Sequence, residues 1–160
     1  MGPFSRRKVK ADGPDRFVVR LDDVERRVLE DVCGQLAEAL DQGSESAALR
    51  RLFPVAHADD AELEAKYREL VHDDLRAKRL ADLRAVVEGI EARELDREGL
   101  ERWMTAVNSV RLVLGTVLDV GEEDPGPLDP EDPDTPTLVV YHFLGGLLDE
   151  IVRALSSTLS

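Results

Sequence analysis

Between Leu100 and Val120 apolar residues recur at helical spacing, and Trp103, Met104, Val107, Val110, Leu114 and Leu118 fall on one broad stripe. Arg111 projects from the centre of that stripe. A guanidinium placed there needs a carboxylate partner, or else its face is an interaction surface rather than core. Leu112 and Val113 lie off the stripe, so the second half of the segment is apolar nearly all round, the pattern of a helix at the centre of a bundle. Asp96 is placed to cap this helix over residues 97–120, and Gly115 offers a neighbouring helix a close approach.

The same reading places the other elements. Residues 5–10 and 16–21 alternate on either side of Ala11-Asp12-Gly13-Pro14-Asp15, a strong turn signal, and predict a β-hairpin over 5–21. A lone two-stranded ribbon is marginal in water, so it should lie against helices or pair with a second copy of the chain, which makes a homodimer one expectation. Asp22 with Glu25 three residues on forms the acidic version of a capping box, and Val24, Val28, Val32, Leu36, Ala39 and Leu40 give the first helix its stripe. Residues 46–52 predict a short helix closed by Phe53-Pro54. From Asp59 or Asp60 a helical stretch runs towards Glu94. Its apolar face changes phase: Leu63, Tyr67, Leu70, Ala77 and Ala81 share one side, and Leu80, Leu83, Val86, Val87 and Ile90 the other, which predicts a kink or break near 76–80. A last helix over 136–157 follows a Thr135 or Asp134 cap, with Tyr141, Leu144, Leu148, Ile151 and Leu155 as its stripe.

The expected architecture is mainly α: a bundle of four principal helices plus a short helix, with an N-terminal β-hairpin. A chain of 160 residues, 42% of them apolar, suits a single domain over 1–160, with a helical part over 22–120. The stretch 121–135, rich in proline and acid, reads as a loop within it.

Charge adds a second layer. The net charge of −13 disfavours non-specific binding to polyphosphate over the whole surface. Residues 1–20 nevertheless hold six basic and two acidic side chains, whereas residues 121–134 hold seven acidic and none basic. Solvated surface is the simplest meaning of both. The alternative for Arg6, Arg7, Lys8 and Lys10 is contact with nucleic acid or an acidic partner.

Asp74 falls within the first stripe of the long helical stretch, as Arg111 does on its own. Each is a lone charge on an apolar face, and the spacing predicts a buried ion pair between them that sets specificity more than stability. Arginine snorkelling to the rim is the alternative. The single cysteine, Cys33, excludes an intrachain disulfide and any cysteine-based zinc site, and fits a reducing cytoplasm. It sits at the edge of its helix's stripe. A buried, inert thiol is the simplest reading; a redox thiol would need exposure and a depressed pKa. His57, His72 and His142 lie in three separate elements, and Val71-His72-Asp73-Asp74 cannot converge on one ion because successive helical residues diverge. With no phosphate-cradling loop and no nucleophile motif, the chain reads as non-enzymatic, with no metal or cofactor. No apolar run is long enough to span a bilayer, so no membrane partner is expected.

Arg51-Leu52-Phe53-Pro54, Tyr67-Arg68, Asp73-Asp74-Leu75 and, above all, Trp103 with Asn108-Ser109-Val110-Arg111-Leu112-Val113-Leu114-Gly115-Thr116 resemble the actinomycete family catalogued as domain of unknown function 2017. Val140-Tyr141 at the last helix is a weaker echo. Members of that family have been named oxidative-stress transcriptional regulators, which implies a cytoplasmic protein acting on transcription through DNA or a sigma factor. Some are encoded beside a Clp protease adaptor, which implies a Clp component as another partner. The redox form of such a regulator needs two cysteines, and this chain has only Cys33.

Overall fold

The reciprocal cap expected at Asp22 is present: its carboxylate accepts from the Glu25 N–H at 2.8 Å, and the Glu25 carboxylate accepts from the Asp22 N–H at 2.9 Å. It opens α1 (Asp23–Asp41). The structure is a computed structural model and describes residues 7–41, 75–117 and 135–159. Before α1 lie β1 (Val9–Ala11) and β2 (Phe17–Val19), and after it α2 (Leu75–Glu88), β3 (Glu94–Leu95), α3 (Arg97–Val117) and α4 (Thr135–Ser156).

The hairpin is narrower than its sequence pattern and is not alone. Val9 pairs with Val19, and Phe17 in turn pairs with Leu95, giving an antiparallel sheet in the order β1-β2-β3. The Asp12 N–H donates to the Arg16 carbonyl at 2.8 Å across the turn, where Gly13 takes a φ of 115° that side-chain-bearing residues rarely adopt. Strand alternation then sends Val9, Phe17 and Val19 into the core. The third strand provides the support that two strands lack in water, so no second copy of the chain is needed for it. Two residues are too few to show a period, which is why Glu94-Leu95 was not legible as a strand.

The helices pack in succession, α1 on α2, α2 on α3 and α3 on α4, while β1 lies on α4. Within α3, Leu100, Trp103, Ala106, Val107, Val110, Val113 and Leu114 are all buried, as a bundle-centre helix requires. Arg111 is only half-buried and sits at the edge of this face rather than at its centre, because Ala106 and Val113 widen the buried stripe on the opposite flank. The Asp96 carboxylate caps α3 by accepting from the Gly99 N–H at 2.7 Å.

On α1 Leu36, Ala39 and Leu40 are buried as expected, but in the first half the buried residues are Arg26, Leu29 and Cys33 rather than the valines, and Val24 is 72% exposed. Both rows have helical spacing; packing against α2 selects between them. Leu83 and Val86 on α2, and Ile90 just beyond it, are buried as expected, but the helix ends at Glu88 because the chain turns through Gly89 towards β3. Of the earlier stripe, Ala77 and Ala81 are exposed on α2, while Leu63, Tyr67 and Leu70, together with Asp74, the short helix over 46–52 and the acidic residues 121–134, lie outside the described residues.

Candidate interaction surface

Two of the hairpin's basic side chains, Lys8 and Arg16, are engaged by the fold itself. Arg6 lies outside the described residues, whereas Arg7 and Lys10 are exposed. The Lys8 ammonium pairs with Glu25, and the backbone N–H groups of Lys8 and Val9 donate to the Glu150 carboxylate of α4 at 2.5 and 3.3 Å. Arg16 pairs with Glu94 and, at 3.6 Å, with Asp12; the hydrogen bond to Glu94 holds its pKa above the ordinary value. The structure thus gathers Lys8 and Arg16 into intrachain pairs. It leaves Arg7, Lys10 and Arg20 as the exposed basic groups of the described arm.

Cys33 is fully buried, and burial pushes its thiol up to about 12. A redox thiol has the opposite environment, so neither condition for that reading is met: Cys33 faces the core, one position away from the edge placement its sequence suggested. Native protein at pH 8 should therefore react with iodoacetamide at least about a hundredfold more slowly than denatured protein, since both access and thiolate fraction are suppressed. Mass spectrometry of the alkylated chain reads this directly. Equal rates in the two states would place the thiol at the surface.

Arg111 is the charged group least provided for. Its partner by sequence, Asp74, lies outside the described residues. Within them its Nε is buried with no hydrogen-bond partner, and the guanidinium carbon lies 5.1 Å from the centroid of the Tyr141 ring on α4. A Cβ on Gly145 would come within 3.3 Å of that Nε, and a Cβ on Gly115 within 3.3 Å of the Tyr141 ring. The close approach expected of Gly115 is therefore used by an aromatic ring. Gly145 makes room for the arginine, whereas Gly146 faces open space.

Two buried charged residues escaped the sequence reading. Arg26, 8% exposed, donates from Nε to the Leu21 carbonyl at 3.1 Å and from Nη1 to the carbonyls of Ile90 and Ala92 at 2.5 and 3.1 Å. It ties the start of α1 to the turn between α2 and β3. Its spacing from Leu29 and Cys33 was the available signal, hidden by the competing valine row. Asp82, 1% exposed, accepts from the Lys78 ammonium at 3.1 Å and lines a cleft of about 500 Å³ with Lys78, Glu98, Glu101 and Arg102. The Lys78–Asp82 spacing reads as a surface i, i+4 pair, and only the arrival of α3 buries the acid.

His142 is exposed and meets the Tyr141 ring edge-on at 5.7 Å, while His57 and His72 lie outside the described residues. Among the described residues no group of three His, Cys, Asp or Glu could hold a metal ion, and no helix is long and apolar enough to cross a membrane.

A family model described as Domain of unknown function (DUF2017) matches residues 1–155. No curated protein and no solved structure matches the chain.

Proposed function

Since the chain belongs to the DUF2017 family, we propose that it is a non-enzymatic cytoplasmic regulator that acts on transcription through protein contacts. The observation that carries this reading is the internal use of the hairpin's charge. Lys8 and Arg16 are paired with Glu25 and Glu94, so a chain of net charge −13 offers phosphate only a sparse basic footprint. Protein surfaces make no such demand for concentrated positive charge. The resemblance to oxidative-stress regulators supplies the link to transcription. Cys33 in the core supports a form of that regulation independent of its own thiol.

Affinity enrichment of the tagged chain from lysate of its native cell, with and without oxidant, tests the reading. A sigma factor or RNA polymerase subunit should be recovered equally in both conditions and equally by Cys33→Ser. Recovery of a Clp protease component instead would assign the chain to protein turnover, the second reading. Direct DNA binding, the third, predicts affinity that falls steeply with salt and is lost on neutralising Arg7 and Lys10. That result would overturn action through protein contacts.

A further inference from the structure

The seam between α3 and α4 is built from two matching rows. Met104, Asn108, Arg111 and Gly115 follow one another at successive turns of α3, and Tyr141, Gly145, Leu148 and Val152 do so on α4. The rows run in opposite directions. Tyr141 seats over Gly115 and Arg111 over Gly145, so each helix contributes one bulky group and one gap. The guanidinium is thereby fixed against a ring face, with little freedom left to lose when a ligand arrives.

Its buried donor, Nε, is not satisfied among the described residues. The surroundings make this more than a local accident. Residues 106–117 of α3 and 135–148 of α4 contain no acidic residue, in a chain that carries 34 of them. Around Arg111 the seam is therefore mostly apolar, and the first acid along its α4 side is the exposed Asp149, one turn past Gly145. At its Met104 end the seam borders the cleft that α2 and α3 share, where Met104 lies beside Lys78, Asp82 and Glu101. Leu112, 40% exposed, and Val152, 44% exposed, extend the apolar character beside it.

We propose that this seam docks a partner segment that presents a carboxylate among apolar side chains, the carboxylate pairing with Arg111 and the apolar groups covering the Met104–Val152 end. This rests on the reading of the chain as a protein-contact module. It is charge complementarity that selects the occupant: a basic or purely apolar segment would leave the guanidinium donors unmet, and desolvating an unpaired cation is costly. A second copy of this seam is disfavoured, because symmetric packing centred on Arg111 would bring two guanidinium groups together.

The test uses two fluorescein-labelled helical peptides of alanine and leucine that differ only in one central residue, glutamate or glutamine, titrated against the full chain by fluorescence anisotropy. The glutamate peptide should bind about tenfold more tightly than its glutamine twin, as expected for a charge-assisted pair. Arg111→Gln should reduce the preference to about twofold or less, and Arg111→Lys should retain part of it. Equal binding of the two peptides, no binding, or an unchanged preference in Arg111→Gln overturns the proposal. Because Arg111→Gln could fail to fold, a second measurement needs no variant. In the ¹⁵N-labelled parent chain the glutamate peptide should shift the amides of Arg111, Gly115, Tyr141 and Gly145; shifts confined to the hairpin overturn the site. If the parent chain and Arg111→Gln enrich the same regulator equally from lysate, the seam proposal falls and the reading of function stands. If the parent enriches neither a transcription nor a Clp component while the peptides discriminate at Arg111, the reverse holds.

Discussion

Replacing Arg26 with methionine is expected to lower the stability of the folded chain by about 3 kcal/mol, with a fall in Tm of roughly 6–12 °C for a chain of this size. Methionine fills similar apolar volume but donates nothing, so the carbonyls of Leu21, Ile90 and Ala92 lose their partner together. Three orphaned acceptors at about 1–3 kcal/mol each could cost more than this. The expected value lies below their sum because an adjoining cavity of about 230 Å³, lined by Asp23, Arg27, Glu30 and Glu91, lets water reach the site. Arg26→Lys should recover only part of the loss, since a compact ammonium cannot reproduce the fork that spans α1 and the turn after α2. Thermal unfolding followed by circular dichroism measures both. A Tm unchanged in the methionine variant would show that these carbonyls are satisfied without Arg26.

Trp103→Ala should be more damaging, at about 3–5 kcal/mol, because it removes the largest fully buried side chain and leaves a cavity that the surrounding helices can only partly close. The neighbours that would have to collapse are rigidly placed. Trp103 lies on the helix that packs against both α2 and α4, so relaxation towards one partner opens a gap at the other. Trp103→Phe keeps an aromatic ring and should lose well under half as much. Urea denaturation with unchanged m-value and a shifted midpoint would identify the loss as one of stability rather than of compactness. Trp103 is also the sole tryptophan, so in the parent chain its emission reports the opening of this core directly.

The contrast between these two sites shows how far sequence reaches. Trp103 was legible because its stripe has no competitor: the apolar residues of α3 define one broad face, and the structure buries it. Arg26 was not, because the valines at 24, 28 and 32 form an equally regular row on the same helix. Period fixes that a helix is amphipathic, but two adjacent rows can satisfy it, and the identity of the neighbour decides which is covered. Cys33 moved from edge to core by the same rotation. β3 fails for a different reason, its two residues being held as a strand by pairing with Phe17 and Val18 rather than by any pattern of their own.

The candidate site divides similarly. The basic residues of the hairpin were visible as a charge cluster, but the acids that pair with Lys8 and Arg16, Glu25 and Glu94, come from two other elements, and Glu150 of a third accepts from the hairpin backbone. Arg111 was visible as a charge out of place. That it lies against Tyr141 and Gly145 depends on the register of α3 against α4.

By itself the sequence determined the mainly helical class, the caps at Asp22 and Asp96, the central place of α3 and the oddity of Arg111, all consequences of side-chain order along a single element. The tertiary structure alone decided which face of α1 is buried, that a third strand completes the sheet, which acids neutralise the hairpin, and where Arg111 points. Each of these turns on two segments distant in the chain meeting at one register. Local periodicity and capping act within a few residues, whereas burial and ion pairing are set by whichever surface arrives from elsewhere.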